Sequence, residues 1–329
     1  MRGPVRYGSR YSTRSRSDGV FIPHYFMLEL DCTIPTKPIV RQTIVSSVLI
    51  SFNVTDRLTL AYTFFVGLLL ALSPNPMQKR GKLLAVHAGI LLMVFAFAYF
   101  RRHPKTPILR FLSHWYPLGL SAFFFEEIHS IVHIIHERWF DTYLINFDYA
   151  MFGVHPTIWF EQHISYGLTE TMSFFYFTYW PLIPALALLL WLSDKEQFSS
   201  YVFALCLSYC CCYLVFIFFP IEGPYHTLRQ LQSINEMPGG VFTHLVDLIE
   251  KHGRIHGGAF PSAHVAGSVV STSAAFRYSR KLGMIVLILT LGVCAATVYG
   301  RYHYAVDIWG GISVAVLGCW ITRKFSKTI

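Results

Sequence analysis

Gly257-Gly258-Ala259-Phe260-Pro261-Ser262-Ala263-His264 and Tyr299-Gly300-Arg301-Tyr302-His303-Tyr304-Ala305-Val306-Asp307 stand at the two ends of a pair of apolar runs, 262–279 and 282–299. Only the basic turn Arg277-Tyr278-Ser279-Arg280-Lys281 interrupts them. Each run is about 18 residues, which as a helix rises about 27 Å, close to the thickness of a bilayer's hydrocarbon core. A chain that crosses once and returns over the same length brings His264 and His303 to the same face at the same depth. Two histidines, an arginine, a serine and an aspartate then meet at headgroup level, where ionisable groups mark functional sites.

Working outward, further apolar segments lie at 56–72, 83–100, 109–126, 174–192, 201–219 and 305–321. With the hairpin runs this makes about eight candidate spans. Of the 329 residues 53% are hydrophobic and 14% charged, against about 25% charged in a soluble domain. The expectation is therefore an all-α polytopic membrane protein. The spans use up the length, so the chain reads as a basic, disordered tail over 1–43, N-terminal membrane helices over 44–135 and a core over 136–329. The tail (Arg2, Arg6, Arg10, Arg14, Arg16) lacks the immediate apolar stretch of a signal peptide.

The net charge of +9 is informative through its placement. Basic residues gather in the tail, at Arg101, Arg102, Lys105 and Arg110, at the 277–281 turn, and at Arg323, Lys324 and Lys327. With eight spans all these clusters share one side, cytoplasmic by the positive-inside rule, and both histidine segments face away from it. Lys79, Arg80 and Lys82 are the exception. No basic stripe with interleaved aromatics sits in a soluble domain, so no nucleic-acid partner is expected. Cys206, Cys210, Cys211 and Cys212 lie inside an apolar span without zinc spacing and read as packing residues.

Pro261 and Ser262 are favoured at a helix start, and the Gly257-Gly258 pair lets backbone approach a ligand. A helix N-terminus carrying a serine hydroxyl is an anion site suited to phosphate, and His264 would stand beside the bound anion. His303 and Asp307 are four apart, one turn on a single helical face. The aspartate can accept the Nδ1–H of His303 and leave Nε2 with a free lone pair. Arg301 offers a planar fork of donors to phosphate oxygens. The plainer alternatives are a capped helix and a structural His–Asp pair with an arginine at the interface.

Phe260-Pro261-Ser262-Ala263-His264 followed by Arg301-Tyr302-His303-Tyr304-Ala305-Val306-Asp307 resembles the second and third signatures of the type 2 phosphatidic acid phosphatase superfamily, closest in style to its inositol phosphorylceramide synthase-like branch. The resemblance covers about 220–320, with a weaker similarity at Asp148, Phe152, Gly153 and Pro156. It implies a core of six membrane helices and a phosphohistidine mechanism without metal or other cofactor. His303 would be the nucleophile, Asp307 its orienting partner and His264 the general acid and base. Ser262, Gly258 and Arg301 would hold phosphate oxygens. The chain departs from the pattern in having Thr297 six residues before His303, where the phosphatases carry arginine, and Ala263 where glycine is common. A Lys-x6-Arg-Pro signature is missing. Its counterpart is Phe219–Arg229, which adds Arg229, His226 and Tyr225 as phosphate-binding candidates. Active-site loops are expected over 220–262 and 299–304, the long loop including a short interfacial helix at Val241–Leu248.

Other signals point elsewhere. His129, His133 and His136 fall at i, i+4, i+7 between Glu126, Glu127 and Glu137, a stripe that could ligate metal but lacks a matching second histidine box. Asn53-Val54-Thr55 matches a glycosylation acceptor on the wrong side. Trp115, Trp159, Trp180, Trp191 and Trp309 fit interfacial belts. The expectation is an enzyme working through His303 on a phospholipid or lipid phosphate, with water or an alcohol as acceptor. A non-catalytic lipid transporter and a metal-dependent oxidase built on the Glu126–His136 stripe are the alternatives.

Overall fold

The computed structural model describes residues 52–325 apart from 76, 78 and 235, so the expected tail lies outside the described residues. Twelve α-helices occur among them: α1 (Val54–Leu72), α2 (Arg80–Arg102), α3 (Pro107–Ile131), α4 (Asp141–Phe152), α5 (Pro156–Trp159), α6 (Tyr166–Ser193), α7 (Lys195–Phe218), α8 (Pro224–Thr227), α9 (Val241–Gly253), α10 (Ala263–Tyr278), α11 (Arg280–Tyr299) and α12 (Ala305–Phe325). No strand is present among the described residues. The described residues all belong to one compact unit, and the expected boundary at 135/136 falls inside it, between α3 and α4.

All eight apolar segments are helical, and the protein is an all-α polytopic membrane protein. Six helices are long and apolar enough to cross a bilayer: α1, α2, α6, α7, α11 and α12. The other two long helices are α3 and α10. α10 has 16 residues and packs against α6, α7, α11 and α12. Surrounded by protein, it does not need an apolar surface. Its buried positions are mostly small, Ala263, Ala266, Gly267, Ser268, Ser271, Ala274 and Ala275, which lets neighbouring backbones approach. Hydroxyls supply cross-helix bonds: Thr290 Oγ1 donates to Ser268 O at 3.1 Å, and the Tyr201 and Ser271 hydroxyls are 2.8 Å apart. Large exposed side chains such as Leu92, Leu192, Ile288, Leu291 and Trp320 sit on the surrounding helices, as lipid contact requires.

The long helices run alternately, so His264 at the start of α10, His303 before α12 and the connections 132–165 and 219–262 share one end of the bundle. Two devices set the active-site segments within that end. α11 finishes in a Schellman motif: Tyr302 N donates to Thr297 O (2.9 Å), Arg301 N donates to Val298 O (3.1 Å), and Arg301 takes φ 63°. This left-handed position is where glycine is preferred, and it turns the chain sharply into His303. The α10 start is tied to α12 by Ser262 N donating to Asp307 O at 3.1 Å. Gly311 permits that contact, since a Cβ there would stand 2.5 Å from Ser262 O.

α4 lies on this end as an amphipathic helix, with Tyr143, Phe147, Tyr149 and Phe152 exposed and Asp141 and Asp148 buried. The two aspartates, seven apart on one face, brace both active-site loops. Asp141 accepts from the N–H groups of Glu222 (2.9 Å) and Gly223 (2.8 Å) and from the Tyr304 hydroxyl (2.9 Å). Asp148 accepts from Ala305 N (2.8 Å) and Val306 N (2.9 Å) and so caps α12. Burial raises the Asp148 carboxyl above its ordinary range, and those two N–H groups oppose the shift. The long loop contains the expected short helix, extended to α9, whose start is held by Glu170 of α6: its carboxylate accepts from Gly240 N, Phe242 N and the Thr243 hydroxyl, each at 2.8–2.9 Å.

Candidate active site

His303 and His264 face one another with ring centroids 5.7 Å apart. Both line a cavity of about 880 Å³. His303 is 3% exposed, with Nδ1 2.7 Å from Ala259 O and 3.2 Å from Asp307 Oδ2. A carbonyl oxygen can only accept, so Nδ1 carries the hydrogen and Nε2 keeps its lone pair. The expected Asp307 contact is present, but the nearer acceptor is Ala259. The geometry is also not a shared helical face: α12 begins at Ala305, and Asp307 Oδ2 reaches back to accept from Tyr304 N at 2.8 Å. Asp307 is fully buried, and its Oδ1 has no hydrogen-bond partner among the described residues.

His264 is the second residue of α10, as the cap signal predicts, with Ser262 Oγ accepting from Val265 N at 3.3 Å. Its ring is boxed by Tyr179 (4.6 Å), Tyr176 (5.2 Å), Trp180 (5.8 Å) and Phe125 (6.5 Å), centroid to centroid. The Tyr176 hydroxyl is 3.4 Å from Nε2 and donates to Glu250 Oε1 at 2.9 Å.

The cavity has two characters. One wall is apolar and runs along α3 and α6 through Trp115, Leu118, Phe125, Ile183 and Pro184. The other end is polar, with Glu222, Tyr225, His226, Glu250, Arg254, Gly258, Tyr302 and the two histidines. Trp115 and Trp180 line this cavity.

Of the phosphate-binding candidates, Gly258, His226 and Tyr225 reach the cavity wall. Ser262 does not line it: fully buried against α12, it serves as the α10 cap. Arg229 is exposed in the loop, 5.7 Å from the Tyr225 ring. Arg301 points away from the histidines. Its guanidinium meets Glu161 Oε1 at 2.7 Å and donates to Ile234 O at 2.7 Å, beside a second chamber of about 480 Å³. Burial lowers its pKa, with Glu161 opposing.

The cation in the cavity is Arg254, absent from the sequence reading. Its Nε donates to Glu250 Oε2 at 2.9 Å, and its guanidinium lies 3.8 Å from the Tyr225 ring centroid and 5.7 Å from that of Tyr302. Burial works against its charge, but the Glu250 carboxylate more than offsets this and raises its pKa. The available signal was the basic run Lys251-His252-Gly253-Arg254 just before the Gly257-Gly258 pair. Glu250, Tyr176 and Tyr179 were also missed, and as ordinary helix residues they carry no local mark.

Among the described residues the histidine stripe of α3 does not form a single face. The helix ends at Ile131, after which His133 Nδ1 bonds His136 O at 2.8 Å and its ring meets Trp139 at 4.3 Å. Asn53 is the α1 cap, with its side-chain oxygen accepting from Asp56 N at 2.7 Å.

The PAP2 superfamily model matches residues 131–321, which run from α4 into α12 and include His264, His303, Asp307 and Arg254 but not the α3 wall of the cavity. The chain belongs to the PAP2 superfamily. Membership implies phosphoric-ester hydrolase chemistry in general terms. No curated protein and no solved structure matches the chain.

Proposed function

We propose that the protein is a metal-independent lipid phosphatase or phosphotransferase working through a phosphohistidine at His303. The observation that carries this reading is the facing of His303 and His264, 5.7 Å between rings, on the wall of a cavity with one apolar and one polar end. Such a cavity suits acyl chains on one side and a phosphorylated headgroup on the other.

In this reaction His303 Nε2 attacks phosphorus and forms the P–N bond as the ester P–O bond breaks. His264 passes a proton to the departing alkoxide. The Nδ1–H bonds to Ala259 and Asp307 disperse the positive charge that develops on His303. His264 then takes a proton from water or an alcohol, whose oxygen attacks phosphorus and displaces His303. Arg254 and the first-turn N–H groups of α10, at Ala263 and His264, are aimed at the negative charge of the transition state. In this reading Arg254, on the cavity wall, serves as the phosphate clamp rather than Arg301.

Purified protein supplied with a lipid phosphate, with and without inositol, glycerol or ceramide, tests the reading. Phosphate release regardless of acceptor identifies hydrolysis. Acceptor-dependent lipid product identifies the transferase chemistry of the inositol phosphorylceramide synthase-like branch. Neither product, with transport of intact lipid phosphate into proteoliposomes, overturns both. The basic clusters at Arg101–Arg110, Arg277–Lys281 and Arg323–Lys324 lie at the opposite end of the long helices from the histidines, supporting an extracytoplasmic site. Inhibition of sealed, oriented vesicles by an impermeant histidine reagent checks that side.

A further inference from the structure

A second cluster at the polar end of the cavity has no part in the steps above. Glu222, His226 and His256 place one donor atom each within 4.8 Å of one another. His256 Nδ1 is 3.1 Å from Glu222 Oε1, and the two imidazole centroids are 4.6 Å apart. The segments carrying them are braced independently of these side chains. Asp141 holds the N–H groups of Glu222 and Gly223, and Ala259 N donates to Ile221 O at 3.3 Å across the Ile221–Gly258 bridge. α8 begins at Pro224, after the turn at Gly223, and carries His226 back beside Glu222.

A hydrogen-bonded Glu–His pair with a stacked neighbour would account for part of this arrangement. It leaves His226 Nε2 buried without a hydrogen-bond partner among the described residues, and such a polar atom is costly unless something satisfies it. An ion bound by the three donors would do so. Tetrahedral bonds of about 2.0–2.2 Å place donor atoms about 3.4 Å apart. Closing from 4.8 Å or less needs only small side-chain rotations. Two imidazoles and one carboxylate suit zinc-class ions, whereas magnesium and calcium prefer sets of oxygen donors. Three protein ligands also leave a fourth position open.

We infer that Glu222, His226 and His256 form a binding site for a divalent transition-metal ion of the zinc class. Glu222 and His226 line the cavity wall, so the bound ion adds positive charge beside the polar end. The inference does not rest on the phosphoryl-transfer reading, and its test does not use turnover.

Full-length protein in detergent, stripped with a chelator, is titrated with Zn²⁺ by equilibrium dialysis and with Co²⁺ by visible spectroscopy. Wild type should bind one ion that Mg²⁺ in excess does not displace, with the ligand-field bands of four-coordinate Co²⁺. His226→Ala and His256→Ala should each weaken that site at least tenfold, and the double variant should lose one equivalent. Glu222→Gln should weaken it about tenfold, in line with the loss of a ligand or its immediate support. Where an alanine variant fails to elute as a single species, His226→Asn and His256→Asn replace it. Equal uptake by wild type and the double variant, no uptake at all, or displacement by Mg²⁺ would overturn the assignment.

Discussion

Two buried ionic groups stand at opposite ends of this helix bundle, and they are finished differently. At the α1–α3 end, Arg101 makes a bidentate pair with Asp56 at 2.6 and 2.8 Å, and Asp56 also accepts from the Tyr116 hydroxyl at 2.6 Å. The same guanidinium donates to Ser113 O at 2.9 Å. That carbonyl is the one Pro117 leaves unused in α3, since proline has no N–H for the residue four before it. The partners are all protein, and the network is closed. At the other end, His303 lines a large cavity and presents Nε2 there, with Asp307 buried behind it. A closed network holds helices together, whereas groups left open on a cavity can exchange protons and bonds with a guest.

The sharpest way to break this contrast is His303→Ala, which should abolish turnover and any acid-labile phosphoenzyme while leaving the fold intact. Full activity in that variant would remove the nucleophile from the mechanism. Next in size, His264→Ala should lower kcat by about 10²–10⁴, the usual scale for a general acid or base. A loss below tenfold would argue against that role. At the closed end, Asp56→Asn or Arg101→Met should destabilise the protein by about 3–5 kcal/mol, the usual penalty for breaking one side of a buried pair. Activity per folded molecule should stay within about threefold, read by thermal unfolding and kinetics on the same sample. The double variant Asp56→Leu/Arg101→Met should recover much of the stability, because no buried charge is left alone.

Arg254→Ala should cost about 10–100-fold in kcat/KM, matching about 1.5–3 kcal/mol for a charge-assisted hydrogen bond. Lysine, lacking the planar fork, should restore only part of it. The smallest expected effect on catalysis is from Arg301→Gly. Glycine accepts the left-handed backbone, but the Glu161 contact is lost. Thermal stability should fall while kcat/KM stays within about fivefold. A larger kinetic loss there than in Arg254→Ala would exchange the roles assigned to the two arginines.

Much of the site was legible because its anchors are local. The Pro-Ser cap sets the start of α10, and span lengths set which residues share an end of the bundle, so His264 and His303 could be paired across about 39 positions. Asp141 left a trace too, seven residues before Asp148, though the spacing says nothing of which loops they brace. The histidine stripe misled because periodicity was carried through a helix that ends at Ile131. Arg301 misled because its direction depends on a single left-handed residue in the α11 cap.

The sequence by itself determined the membrane class, the helical segments and the gathering of polar signatures at one end, since hydropathy, length and capping act over one or two turns. Tertiary structure decided which arginine reaches the cavity, which acceptor fixes the His303 tautomer and where the buried aspartates grip the loops. Those choices depend on side-chain direction and on approaches between segments far apart in the chain, which no local pattern encodes.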